Sequence, residues 1–234
     1  GISMLFTFYK SFGVYKSDKL LFYGSFTSLL LIIIAGWIGG QIATNIDGEN
    51  IIFQHTVSVH LYIAILTTIS LVFTTNRGFL VMYPDIEKGH TYSSFSKKLL
   101  VAIFFLNLFL VFSGSYIRTF IDDNLFKELD YFVRMQKYVS ETGLVKYIHP
   151  IFGFTMLTCS AVLWNHNLNH SKPSNVVLLI TKLILYAICA QIIIGECLRF
   201  AIIHESFRLY HLFLSSVILG LIIVAYQRIQ IASD

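Results

Sequence analysis

Charge is what this chain has least of. Only 13% of its 234 residues are Asp, Glu, Lys or Arg, about half of the roughly 25% that clothes a typical soluble domain. That deficit excludes a water-facing globular enzyme and a charged, disordered chain. Cysteine is sparse as well. Cys159, Cys189 and Cys197 all fall in or at the end of apolar stretches, without a C-x-x-C pair, which excludes a disulfide-stapled module and a thiolate zinc site. No basic run interleaved with aromatics is present, so nucleic acid is not a partner. Nor do the apolar residues alternate over segments of about 10 residues, as the strands of a transmembrane barrel would.

What the chain has instead is long apolar runs. It is 56% hydrophobic, with a mean hydropathy of +0.70. Six nearly charge-free segments, 20–46, 51–76, 99–117, 147–171, 173–195 and 209–227, together cover 139 residues. A helix needs about 20 apolar residues, rising 1.5 Å each, to cross a hydrocarbon core of about 30 Å. The expected fold is therefore all-α, a polytopic transmembrane bundle of about six helices in three hairpins. The first run, at 27 residues, is too long for the apolar core of a signal peptide and predicts no cleaved leader.

The basic residues orient the hairpins. With both termini inside, the inner segments hold ten of the seventeen Lys and Arg against four acids, and the outer segments hold seven against nine. This is the sense of the positive-inside rule. The outer connections 44–50 and 199–206 are short, whereas 118–146 is long. Within it Leu125, Leu129, Phe132, Val133 and Gln136 recur at helical spacing, which predicts either an amphipathic segment over about 119–146 on the outer membrane surface or a solvated loop with apolar anchors. The inner connection 77–98 contains Pro84 and Gly89 and reads as a loop. Two regions are expected: 1–98, the N-terminal segment with the first hairpin and its inner loop, and 99–234, a four-helix bundle.

The eight histidines carry most of the functional signal. His90, His166 and His170 fall at the inner side, where an exposed imidazole needs no special role. His55, His60, His149, His204 and His211 all fall toward the outer ends of the returning segments. Of these, His60, His149 and His211 lie inside the apolar runs, one per hairpin, at similar depth. Ionisable groups inside a membrane are costly to bury, and by default mark a functional site. Neutral imidazoles facing one another in a helical bundle suit the two axial positions of a haem. Small residues such as Gly153, Ala161 and Ser215 would make room for the macrocycle. Zinc or copper is disfavoured, because no carboxylate or thiol accompanies the histidines at ligand spacing.

A short text recurs before each histidine. The outgoing segments end in Gly36-Trp37-Ile38-Gly39-Gly40, Ser113-Gly114-Ser115 and Gly195-Glu196-Cys197, and each is followed by a segment that returns with its His. The repeat predicts close helix packing at the glycines and a ligand from the return helix. Gln191-Ile192-Ile193-Ile194-Gly195, Tyr210-His211-Leu212 and Ile148-His149-Pro150-Ile151-Phe152-Gly153 resemble the helices of the haem A synthase family. The likeness runs over about 99–227. It implies a four-helix half holding haem between two histidines, His149 and His211, near the outer face. The family's histidines commonly precede an Arg, and its reactive Glu stands four residues before a His. Here Leu61, Pro150 and Leu212 follow the histidines, and Thr56, Val145 and Phe207 stand four before them.

Three readings follow. The first is a b-type cytochrome with haem b on His149 and His211, and with His60 as an alternate ligand or part of a second haem site. It would carry electrons between a quinone pool or redox subunit and another component of a respiratory-type complex. The membrane would be an energy-transducing one, a prokaryotic plasma membrane or the mitochondrial inner membrane. Tyr210, Arg208 and Glu205 are candidate partners of the ligands. The second is a haem-modifying oxidoreductase, with Glu196 or Glu205 as its acid, although Glu196 is also spaced to pair with Arg199. The third is a cofactor-free subunit of a membrane assembly. Asn107 and Gln191 are the few polar candidates within spans, which leaves a transporter weakest.

Overall fold

The computed structural model describes the backbone of residues 1–44, 51–123, 133, 143–200 and 206–232, and the side chains of these residues outside 51–55 and 119–123. The helices are α1 (Ile2–Ser11), α2 (Lys19–Thr44), α3 (Ile51–Met82), α4 (Ser94–Asp123), α5 (Val145–His170), α6 (Asn175–Arg199) and α7 (Phe207–Ile231). Six of them, α2 to α7, are long and apolar enough to cross a membrane. Among the described residues there is no strand, only an isolated bridge between Thr91 and Lys172. The chain is an all-α polytopic helical protein. His55, His204, Glu205 and nearly all of the amphipathic candidate 119–146 lie outside the residues whose side chains are described.

Two compact units divide at residues 88 and 89. In the first, α1 packs on α2, and α2 on α3. Gly24 lets the two long helices approach closely: a Cβ at that position would fall 2.6 Å from Thr74 Oγ1. Across the same contact Ser28 Oγ lies 2.8 Å from Ser70 Oγ and donates to the Gly24 carbonyl. Small hydroxyl residues at a helix–helix seam are how spanning helices associate where lipid removes the hydrophobic driving force. At one end of this hairpin Asp18 caps α2, accepting from the Leu21 amide at 2.9 Å, while its second oxygen accepts from Arg77 Nε at 2.7 Å. One carboxylate thus satisfies a free helix N-terminus and an arginine together. Arg77 was expected in a loop, but α3 continues to Met82, because the run Arg77-Gly78-Phe79-Leu80 is still apolar enough to pack, with Leu80 buried.

In the second unit α4 packs against α5, α5 against α6, α6 against α7, and α7 back against α4. Four consecutive helices therefore close a ring, with α5 and α7 at opposite corners. The α5 stripe facing inward is Gly153, Met156, Ser160, Leu163 and Asn167, at the alternating three- and four-residue spacing of bundle seams. Leu100, Ile103, Ile184, Ile188, Ile218 and Ile222 fill the centre. Phe105, Phe109, Phe112 and Tyr116 form the opposite stripe of α4 and are exposed, as lipid-facing residues would be. Pro150 lies in the second turn of α5, which begins at Val145, and there position 150 offers no N–H to the Lys146 carbonyl.

Candidate functional site

The three spanning histidines share one local arrangement. On α3, the ring of His60 packs with its Cε1 edge against Gly39 of α2; a Cβ there would lie 3.2 Å away. His149 of α5 meets Gly114 of α4 in the same way at 3.4 Å, and His211 of α7 meets Gly195 of α6 at 3.0 Å. Each ring is half-buried. At Gly39 and Gly195 the recurring glycine has a physical purpose, since a Cβ there would press on the imidazole, whereas at Gly114 a Cβ would stand at ordinary contact distance. His149 and His211 are each the fifth residue of their helix. In an up-and-down ring, this sets both at the same end of the second unit, on diagonally opposed corners.

One hydrogen bond bears on which nitrogen of His149 is available. Nδ1 lies 2.7 Å from Ser113 Oγ, and Ser113 Oγ also donates to the Leu110 carbonyl at 3.2 Å. A hydroxyl has one proton; with that proton on Leu110, Ser113 accepts from Nδ1–H. In that tautomer the lone pair of neutral His149 sits on Nε2, one of the two ring nitrogens able to ligate a metal; with the Ser113 proton turned to Nδ1 instead, Nε2 carries the hydrogen. Ser113 escaped the sequence reading, although it stands beside Gly114 in the recurring text. His211 Nδ1 and His60 Nδ1 are buried without a hydrogen-bond partner.

Immediately beneath this tier is a second, polar one. Asn107 Nδ2 of α4 donates to the Ser215 carbonyl of α7 at 2.9 Å, and Gln191 Nε2 of α6 donates to Ser215 Oγ. Ser215 lies one turn from His211, and Gln191 one turn from Gly195. The two polar candidates noted within spans are therefore interhelical ties, yet each keeps a buried carbonyl oxygen, Asn107 Oδ1 and Gln191 Oε1, without a donor.

Other candidates fall elsewhere. Tyr210 is 60% exposed and faces away from the unit, because one residue along a helix turns the side chain by about 100°. Glu196 and Arg199 are paired at 3.4 Å. Of the small residues expected to make room, Gly153 and Ser215 are buried, while Ala161 is exposed. Two of the inner histidines are hydrogen-bonded: Ser93 Oγ lies 2.7 Å from His166 Nε2, and His90 Nδ1 is 3.3 Å from the Lys172 carbonyl, while His170 is exposed beside the His166 ring. His60 belongs to the first unit and His149 and His211 to the second.

Comparisons with protein-family models, curated proteins and solved structures returned no match.

Proposed function

We propose that the second unit is a membrane-embedded b-type cytochrome, with His149 and His211 as the axial pair. The observation that carries this reading is the placement of two half-buried imidazoles at one end of a four-helix ring, on opposite corners, with Nδ1 of His149 held by Ser113. The donor set fits a haem: two imidazole nitrogens and, among the described residues, no group of three or more His, Cys, Asp and Glu that would hold a metal ion. A bound haem would supply reversible one-electron transfer between ferric and ferrous iron. The chain's own contribution is to hold the rings and exclude water. Gly114 and Gly195 admit the imidazoles, Ser113 orients one of them, and the apolar centre below lowers the local dielectric, which sets redox potential. Electrons would pass to and from a quinone or another redox subunit of an energy-transducing membrane. His60, seated on Gly39 in the same manner, is the ligand a second haem would use.

The test is an oxidised and a dithionite-reduced visible spectrum of natively extracted protein, with a pyridine haemochrome. Sharp reduced bands of a six-coordinate b-type haem are expected, lost in both His149→Ala and His211→Ala. Full signal in either variant would remove that residue from the axial pair. A haem with an oxidised side chain would point to a haem-modifying enzyme instead, and a folded protein without haem to a cofactor-free subunit.

A further inference from the structure

The element that no apolar run announces is α1. It folds back on α2, with Phe8 stacked 5.6 Å from both Phe22 and Phe26, and with Met4 and Ser11 buried. Phe26 is seven residues into α2, about 10 Å along its axis, so α1 lies beside the first two turns of a span and not beyond its end. Its other face is apolar and uncovered. Ile2, Leu5, Phe6 and Tyr9 follow the spacing of one helical stripe, with exposures of 87%, 54%, 61% and 69%, and Phe12 prolongs the stripe. Lys10, Lys16 and Lys19 are exposed along the same end of the hairpin. The Lys10 ammonium lies 5.3 Å from the Phe6 ring centroid, which places charge at the border of the stripe. Tyr15 and Tyr23, also exposed, pack edge to face there. They are residues typical of the interface between hydrocarbon and water.

We infer that α1 is an interfacial helix that docks on a bilayer surface carrying acidic headgroups. The occupant follows from three properties of the place. Its depth is that of the first turns of α2, which matches the roughly 5–10 Å to which such helices sink. Its stripe is too apolar for water, while its own flank is basic: no acid of residues 1–17 stands against Lys10 and Lys16, Asp18 is engaged by Arg77 and the Leu21 amide, and Asp85, at the same end of the hairpin, is paired with Lys88. A lipid phosphate or carboxylate complements that charge. The inference is independent of the haem reading.

The experiment uses the full chain in nanodiscs. Trp37 and Trp164 are replaced by Phe, and Phe6→Trp supplies a single reporter; Ile2→Trp is a second placement should the first disturb packing. With α1 in the interface, emission is blue-shifted, resists aqueous iodide, and is quenched by lipids brominated near the headgroup end of the acyl chain. Quenching by a brominated acidic lipid exceeds that by its zwitterionic counterpart, and K10Q, K16Q and K19Q each reduce the excess by up to about five-fold, the effect of one lysine near an anionic surface. Red-shifted emission open to iodide from both placements would overturn the docking. Equal quenching by acidic and zwitterionic lipids would overturn the headgroup preference.

Discussion

Gly195 and His211 are in contact such that a single added carbon on the glycine would stand 3.0 Å from His211 Cε1. The corresponding separation is 3.2 Å for Gly39 and His60 and 3.4 Å for Gly114 and His149. Alanine is favoured over glycine inside a helix by about 1 kcal/mol, whereas overpacking costs about 1–3 kcal/mol. Gly195→Ala should therefore destabilise the second unit and displace His211. Gly114→Ala, at ordinary contact distance, should be neutral or slightly stabilising, with Gly39→Ala between them. Thermal unfolding in one detergent would establish the order; equal effects at all three positions would show that the rings do not rest on the glycines.

The Asn107–Ser215–Gln191 tie makes a prediction of opposite sign for two of its members. Ser215→Ala removes the acceptor of Gln191 Nε2, and an interhelical bond of this kind contributes about 0.6–1.7 kcal/mol within a membrane. Asn107→Leu also loses a bond, but it removes the donorless Oδ1, whose burial costs about 1–3 kcal/mol. The alanine variant should unfold more easily than the parent, and the leucine variant no more easily than the parent. A large loss of stability in Asn107→Leu would mean that Oδ1 has a partner in the membrane.

Asp18 combines a cap and an ion pair, and the two can be separated. Asp18→Asn retains a side-chain oxygen for the Leu21 amide and loses only the charge opposite Arg77. Asp18→Ala loses both, and should fall lower by about 1 kcal/mol, the usual contribution of an N-cap. Arg77→Met, which leaves the cap intact, should behave like Asp18→Asn. Chemical denaturation of the three variants would compare them, and identical losses for Asn and Ala would exclude the capping role.

Ser113 is a positioning residue for His149. On the cytochrome reading proposed above, Ser113→Ala would release Nδ1 and the orientation of the ring, and haem affinity would fall by about 10–100-fold, the usual effect of removing such a partner. The midpoint potential should shift as well. Ser113→Thr, which retains the hydroxyl, should restore both. Unchanged affinity and potential in Ser113→Ala would leave the hydroxyl with only a local structural role.

The six spans were legible because a helix that meets lipid on one side and other helices on the other is apolar all round, and length alone then reveals it. Ends were less legible. Arg77 and Lys19 look like loop residues by type, yet both are helical, since Asp18 pairs with the first and hydrogen-bonds the first turn after the second. α1 was missed altogether: ten residues are too few to span, and its support comes from Phe22 and Phe26, later in the chain.

The sequence by itself determined that this protein is helical, that it belongs in a membrane, and that one histidine follows a glycine in each of three hairpins. Those properties are written in composition and spacing, which do not depend on how helices meet. Only the tertiary structure decided which glycine lies against which histidine, that α5 and α7 occupy opposite corners, that Ser113 meets Nδ1 of His149, and that Asn107 and Gln191 converge on Ser215. Each depends on the rotation of one helix about its axis against another. Residues without strong side-chain preference, chiefly glycine and serine, set that rotation through close approach of backbones.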